Sequence, residues 1–354
     1  MKYGRSLPDL ANELERQLLT KRDMIVPTQC MRSATDDNGQ TSILVEMPDG
    51  LKTYPTTEVF RRQVADKLKI PFAYFDRMRT EQPPLLDRNI NTWLHADSEN
   101  RMVRTLDGHA RAFLSDRYRR LDNYDLMQHI FPILQRLPGA RFESVELTST
   151  KMYLKVVSSE VTAEIQPGDV VQAGVVISNS EIGQGTLSIQ PLILRLVCMN
   201  GLIVADRALR KTHVGRSVDV SAEEVTVFKD DTLAADDHAF FLRTRDVVEA
   251  CVSEATLHAT SAKLRRTLGI KLVGDPVKAV ETVAARYLLN EQERSGVLRS
   301  LIAESDLSGY GLINAVTGHA QLVDDYDRST ELEAIAGRML EQSGTEWRAI
   351  AEAD

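Results

Sequence analysis

The chain has only three cysteines in 354 residues, and they lie far apart at Cys30, Cys198 and Cys251. An odd, dispersed set of this kind is typical of neither a disulfide framework nor a zinc site, and it favours a reducing compartment. No apolar run approaches the roughly 20 residues that span a bilayer. The first twenty residues also lack the apolar core of a signal peptide. The sequence therefore predicts a cytoplasmic protein with no membrane partner.

Signatures of enzymes are also scarce. The seven histidines include no i, i+4 pair of the kind that ligates zinc, and no Walker lysine accompanies the Gly183-Gln184-Gly185 turn. With Ser178 to Ser180 this turn has the composition of a phosphate-binding backbone nest, but an ordinary glycine turn between two strands explains it more simply. Cys198 is a nucleophile candidate, with His213 as its base and Asn200 as the residue that orients the base. However, Cys198 follows an apolar strand, where a buried thiol behaves as a small hydrophobic residue. We predict no catalytic residue, no metal site and no cofactor, which favours a non-enzymatic protein.

What the chain does have is an ordinary globular composition, with 43% hydrophobic and 27% charged residues. This content is sufficient for a sizeable core and argues against long-range disorder. The formal net charge of −8 argues against a protein that simply coats nucleic acid. The distribution of charge matters more than its sum, because the middle of the chain is locally basic while the C-terminal tail is acidic.

Hydrophobic periodicity divides the chain into three regions. Residues 1–100 form a mostly helical N-terminal region, 101–232 a central antiparallel α+β core, and 233–354 a C-terminal helical region. In the core, Asp107-Gly108 joins two short apolar segments and is a strong hairpin signal. The predicted fold class is α+β, with a central antiparallel sheet and helical N-terminal and C-terminal flanks.

The strongest functional signal is a set of basic residues interleaved with aromatic residues in this core. Guanidinium groups bind phosphate in a bidentate manner, and aromatic rings stack on unpaired bases, so the combination suits a single-stranded nucleic acid. Ordinary surface arginines paired with acidic residues remain the alternative interpretation. The predicted nucleic-acid-binding residues are Arg104, Arg111, Arg117, Tyr118, Arg119, Arg120, Lys151, Tyr153 and Lys155.

Three segments carry a family resemblance. They read RAFLSDRYRRLDN, VVISNSEIGQGTLSIQPLILRLVCMNGLIV and YGLINAVTGHAQLVDDYDRSTELE. Together they resemble the phage/plasmid-like proteins, which carry a widespread domain of unknown function, and the resemblance covers most of the chain beyond roughly residue 50. It implies a mobile-element context, and hence nucleic-acid metabolism or conflict with host defence, but it assigns no catalytic residue.

The leading functional hypothesis is a single-stranded DNA-binding protein of a phage or plasmid, acting as an oligomeric annealing or recombination factor. The predicted partners are single-stranded DNA, further copies of the chain, and a host or phage protein. The hairpin and helix of the core resemble the architecture of phage annealing proteins, which is an analogy of fold alone. Two alternatives stay open: an interaction protein that inhibits a host restriction or defence complex, and a nucleotide-acting enzyme that uses the Ser178–Gly185 turn and Cys198.

Overall fold

A computed structural model of the chain describes residues 2–118, 120–204 and 230–354, with the backbone alone for 230–238. The described residues form two compact units. The smaller unit comprises Ala11–Tyr124 and Ser180–Gly185, and the larger unit comprises Met1–Leu10, Asp125–Asn179 and Thr186–Asp354. The three regions predicted from hydrophobic periodicity remain a prediction, and the two units are described separately below.

The smaller unit combines two three-stranded antiparallel sheets with helices. Its elements are α1 (Leu7–Thr20), which is shared with the larger unit, β1 (Arg22–Pro27), a short 3-10 helix (Thr28–Cys30), β2 (Met31–Thr35), β3 (Thr41–Met47), β4 (Gly50–Pro55), α2 (Glu58–Lys67), α3 (Phe72–Glu81), α4 (Pro83–Ala96), β5 (Asn100–Leu106) and β6 (His109–Ser115). The strand orders are β1-β5-β6 and β2-β3-β4. Helices α2 and α4 pack against β6 and β2, respectively.

Local sequence signals explain several of these elements. The β5–β6 hairpin turns at Asp107 and Gly108, whose φ angles of 50° and 76° are the positive values that a type I′ turn requires, so the predicted hairpin is confirmed. The Thr57 hydroxyl accepts a hydrogen bond from the amide of Phe60 at 3.3 Å and caps α2. Phe60 is buried and meets Phe113 of β6 edge-on, with ring centroids 5.6 Å apart.

The larger unit is built on one five-stranded antiparallel sheet. Its elements are α5 (Asn123–Gln135), which begins in the smaller unit, β7 (Ala140–Leu147), β8 (Met152–Glu164), β9 (Val170–Asn179), β10 (Ser188–Arg195), β11 (Asn200–Ile203), α6 (Asp230–Cys251), α7 (Glu254–Leu268), α8 (Pro276–Tyr287), α9 (Glu291–Glu304), α10 (Gly309–Ala320), α11 (Tyr326–Met339) and α12 (Gly344–Ala351). The strand order is β11-β10-β9-β8-β7. The α+β class with a central antiparallel sheet and helical flanks is therefore confirmed.

Helices cover this sheet so completely that its middle strands are buried on both faces. Helix α7 packs on β8, α6 on β10, and α10 and α11 on β11. All seven residues from Met152 to Ser158 in β8 are buried, and Val157, Val176 and Leu192 lie in one apolar cluster. A strand in this position loses the alternation of buried and exposed residues that a half-solvated strand shows. In the described part of the chain, no helix is long and apolar enough to cross a membrane.

Candidate nucleic-acid interface

The turn that follows β6 presents the exposed part of the predicted site. The Ser115 hydroxyl accepts a hydrogen bond from the amide of Arg117 at 3.2 Å, and the Ser115 carbonyl accepts one from the amide of Tyr118 at 3.0 Å. These bonds fix the chain as it leaves the strand. Arg117 and Arg120 are exposed. Arg119 lies outside the described residues.

Tyr118 lies between these arginines and is only half-buried. Its hydroxyl donates a hydrogen bond to the carbonyl of Ser180 at 3.3 Å. Partial burial raises the pKa of Tyr118, although the nearby positive charge of Arg104 opposes the change. Tyr118 therefore stays a neutral phenol at neutral pH, tethered at its hydroxyl.

Arg104 is a fully buried structural residue. Its guanidinium group bonds the Asp23 carboxylate at 2.8 and 3.0 Å, the Asp122 carboxylate at 2.6 Å and the Glu181 carbonyl at 2.6 Å. Burial opposes the charge, but hydrogen bonds and charge from Asp23 and Asp122 outweigh it and raise the pKa of Arg104. Because the side chain has no exposed surface, we do not include Arg104 in the interface.

The Glu181 carboxylate binds a second set of polar partners. Its carboxylate lies 2.5 Å from the Arg111 guanidinium and 3.5 Å from the Lys21 ammonium, and it accepts the amide of Asn123 at 2.7 Å. Only 13% of the Arg111 side chain is exposed. Arg111 is thus engaged internally. The Lys21 ammonium also lies 2.8 Å from the carboxylate of Asp122, which binds Arg104. Lys21 therefore connects the contacts of Glu181 to those of Arg104.

The exposed Arg120 joins this ionic network at its edge. Its guanidinium lies 3.2 Å from the Asp23 carboxylate, while 57% of its side chain is exposed. The network comprises the cations Lys21, Arg104, Arg111 and Arg120 and the carboxylates Asp23, Asp122 and Glu181. It holds the base of the turn and leaves most of the Arg120 side chain available to solvent.

The Gly183-Gln184-Gly185 turn is part of the framework of the smaller unit. The amides of Ile182 and Gln184 donate to the Ser180 hydroxyl at 3.4 and 3.0 Å, so two of the donors that a phosphate nest would use are occupied. The Ile182 carbonyl accepts a hydrogen bond from Gln63 at 2.7 Å. The geometry therefore favours a structural turn over a phosphate-binding one.

The remaining predicted residues lie in the larger unit. Lys155 is fully buried and pairs with Glu333 of α11. Tyr153 is 4% exposed, its ring centroid lies 5.3 Å from that of Tyr326, and burial together with Asp327 raises the pKa of its hydroxyl. Neither side chain presents a surface to a ligand in this structure. Lys151, in the turn before β8, is half-buried.

Cys198 is exposed in the turn between β10 and β11, and its Sγ lies 3.3 Å from the Arg195 guanidinium. Partial burial of the thiol raises its pKa even though Arg195 acts in the opposite direction. His213, its predicted base, lies outside the described residues. Within the described ranges no cluster of three or more histidine, cysteine, aspartate or glutamate residues is arranged to hold a metal ion.

The acidic partners Asp23 and Glu181 were missed by sequence reasoning. Asp23 binds Arg104 through its carboxylate from 81 residues away, and Glu181 binds it through its backbone carbonyl from 77 residues away, so no local pattern marks either contact. The sequence does contain acidic residues that could pair with these arginines. This general signal is the basis of the alternative interpretation in which the arginines form ion pairs.

Comparison with known protein families gives a match to most of the larger unit and the end of the smaller one. The sequence model of a domain of unknown function, DUF932, matches residues 112–349. The chain belongs to this family. The DUF932 segment includes Arg117, Tyr118 and Arg120, but Arg104 and Arg111 precede it. No curated protein and no solved structure matches the chain.

Proposed function

We propose that this DUF932 protein binds single-stranded DNA through the turn at residues 115–120. The observation that carries the proposal is the exposure of Arg117 and Arg120 on either side of the half-buried Tyr118. In the proposed complex the two guanidinium groups contact phosphates, and the accessible part of the Tyr118 ring contacts a base. Arg119 is a further predicted phosphate contact.

The ionic network beneath the turn supports this function by orienting the exposed residues. Asp23 holds Arg120 at 3.2 Å, and Ser180 holds the Tyr118 hydroxyl at 3.3 Å. Groups fixed before binding lose less conformational freedom when the ligand arrives. Because the formal net charge is −8, attraction for a polyanion must come from a local surface of this kind.

The proposed contact set is smaller than the one predicted from sequence. Arg104, Arg111, Tyr153 and Lys155 are internal residues and are left out. Lys151 remains a predicted phosphate contact, because its half-buried side chain makes no ion pair within the described part of the chain.

The wider biological setting is also part of the proposal. The resemblance to phage/plasmid-like proteins points to a mobile-element protein that works in the host cytoplasm, and an oligomer that assists annealing or recombination would use single-strand binding directly. A host or phage protein is a further proposed partner.

The test is fluorescence anisotropy with labelled single-stranded and duplex DNA over a range of salt concentrations. We expect tighter binding to single strands, and a loss of affinity of about tenfold for the Arg117→Ala/Arg120→Ala variant. Since each phosphate contact contributes about 0.7 to the salt slope on single strands, the slope should fall by about 1.4.

Arg348→Ala is the matched control, because this side chain is 72% exposed on α12 and carries the same charge. It should leave affinity and slope unchanged. Equal affinity of the double variant and the unmodified protein would remove the turn from the interface. No binding at low salt would reject the function itself. Light scattering on the same samples tests the proposed oligomer.

A further inference from the structure

The smaller unit contains an open groove with a volume of about 560 Å³. It lies between the end of α2, the first turn of α3 and the second half of α4, in the part of the chain that precedes the DUF932 match. Volumes of this size are typical of small-molecule sites, which run from about 300 to 1,000 Å³. None of the predicted site residues lines it.

Two exposed aromatic side chains mark the groove. Trp93 of α4 is 56% exposed and Tyr74 of α3 is 47% exposed. The Trp93 indole N–H donates to the Asn89 side-chain oxygen one helical turn earlier, at 3.1 Å. This bond occupies the only polar group of the indole and orients the ring, so its available surface is an apolar π-face.

The charged rim of the groove separates into a paired part and an unpaired part. Lys67 lies 2.7 Å from Glu99, and the hydrogen bonds from Lys67 and Arg101 lower the pKa of Glu99. Lys69 also lines the groove and is exposed. It makes no ion pair among the described residues. Asp97 adds an acceptor to the lining.

A groove that is lined by both an unpaired cation and an exposed indole ring matches one nucleotide of a single strand. The base stacks on the ring, and its phosphate meets the ammonium group. An acceptor such as Asp97 suits an N–H group on the edge of an unpaired base, such as the N3–H of thymine. A peptide would use the aromatic surface but has no general need for the cation.

We infer that this groove is a second contact for single-stranded DNA, in which one unpaired base stacks on Trp93 and Lys69 binds the adjoining phosphate. The inference rests on the proposed function and names a separate site for it. It also makes the segment that precedes the DUF932 match a part of the binding machinery.

Tryptophan fluorescence tests the site directly. The chain has two tryptophans, and Trp347 is only 4% exposed, so Trp93 is the one that a ligand can reach. The full-length protein is titrated with oligo(dT) and with an abasic strand of the same length, while anisotropy reports binding. We expect oligo(dT) to quench the Trp93 emission and the abasic strand to bind without quenching it. In Trp93→Phe the remaining emission should not change.

Affinity measurements on two variants complete the test. Trp93→Ala should weaken oligo(dT) binding about tenfold, because stacking of one base contributes on that scale. Tyr3→Ala, which removes a 79% exposed aromatic ring from the larger unit, is its control. Lys69 has a positive φ of 56°, so Lys69→Asn removes the charge with a residue that tolerates this backbone. It should lower the salt slope by about 0.7.

The outcomes separate this inference from the proposed function. If DNA binds without quenching Trp93, or if Trp93→Ala binds with unchanged affinity, the inference about the groove is wrong. The proposal that the turn at residues 115–120 binds DNA would still stand. No binding of any strand overturns both. Quenching by a proline-rich peptide but not by oligo(dT) assigns the groove to a peptide and also overturns the inference.

Discussion

Lys155 of β8 and Glu333 of α11 form an ion pair with no solvent exposure on either side chain, with Nζ and Oε2 2.5 Å apart. Gln321 donates a second hydrogen bond to the other carboxylate oxygen at 3.3 Å, and the Lys155 ammonium lies 4.9 Å from the centre of the Tyr326 ring. Each charge is thus surrounded by compensating groups. The pair joins the sheet to a helix 178 residues further along the chain.

Removing one member of this pair should destabilise the larger unit strongly. Lys155→Met leaves the Glu333 carboxylate buried without its counter-charge, and such changes cost about 3–5 kcal/mol of unfolding free energy. The double variant Lys155→Met/Glu333→Leu removes both charges and should recover most of that loss. Urea unfolding of both variants measures the difference. A double variant as unstable as the single one would contradict this account.

The same double variant separates a structural role for Lys155 from a DNA-binding one. Because the ammonium group is buried, single-stranded DNA affinity and its salt slope should match those of the unmodified protein. A slope lowered by about 0.7 would return Lys155 to the interface.

Asp122 should make the smaller unit sensitive to acid. Burial opposes ionisation of this carboxyl, but the charge of Arg104 and hydrogen bonds from Arg104 and Lys21 outweigh it and lower its pKa. A carboxyl with a depressed folded-state pKa stabilises the fold above its unfolded pKa of about 3.9, and this contribution is lost as pH falls through the folded value. Stability should therefore drop below about pH 4.

Asp122→Asn isolates this contribution. At pH 7 it should cost about 1–2 kcal/mol of unfolding free energy, because a charged partner of a buried guanidinium is lost. The difference from the unmodified protein should shrink below about pH 4. Asp116→Asn changes an exposed carboxylate on the neighbouring turn and should stay within about 0.5 kcal/mol. A pH-independent effect of Asp122→Asn would show that its charge is unimportant.

Several local features of the fold could be predicted from the sequence because their causes are local. The Asp107-Gly108 turn needs two positive φ angles, which this residue pair adopts readily. The apolar face of α5 follows from the four-residue spacing of Leu126, Ile130 and Leu134, all fully buried.

The candidate site could be predicted less well, because the residues that bury its side chains or pair with them are distant in the sequence. Tyr153 and Lys155 alternate with apolar residues in β8, a pattern typical of a strand with one solvated face, but Tyr326 and Glu333 of α11 cover these two side chains from more than 170 residues further along the chain. One partner of Arg104 is equally hard to predict, since Asp23 is 81 residues away. The exposure of Trp93 could have been predicted from the sequence. The buried residues Leu86, Ile90 and Leu94 of α4 follow a four-residue spacing, and Trp93 does not fall on it.

Gly337 should tolerate no side chain, although it lies inside helix α11. An alanine Cβ there would lie 1.8 Å from the carbonyl oxygen of Ile203 in β11, which is backbone and cannot move aside alone. Glycine to alanine normally stabilises a helix interior by about 1 kcal/mol. Here the overlap should reverse the sign and cost about 3 kcal/mol. Gly344→Ala in α12 meets open space and is the control in the same unfolding experiment. A neutral Gly337→Ala would mean that α11 and β11 pack less closely.

The reactivity of Cys198 tests the remaining enzymatic alternative. Partial burial of its thiol raises the pKa in spite of Arg195, 3.3 Å away, so little thiolate exists at pH 7. We expect iodoacetamide to modify Cys198 more slowly than an unstructured cysteine peptide, with a rate that still rises above pH 9. The chain has three free cysteines, and the Cys198→Ser variant shows which phase of the modification time course belongs to Cys198. This variant should leave DNA affinity unchanged. A nucleophile needs the opposite behaviour, because the thiolate is the reactive form. Rapid modification that levels off below pH 7 would therefore favour covalent chemistry at Cys198 over a purely binding function.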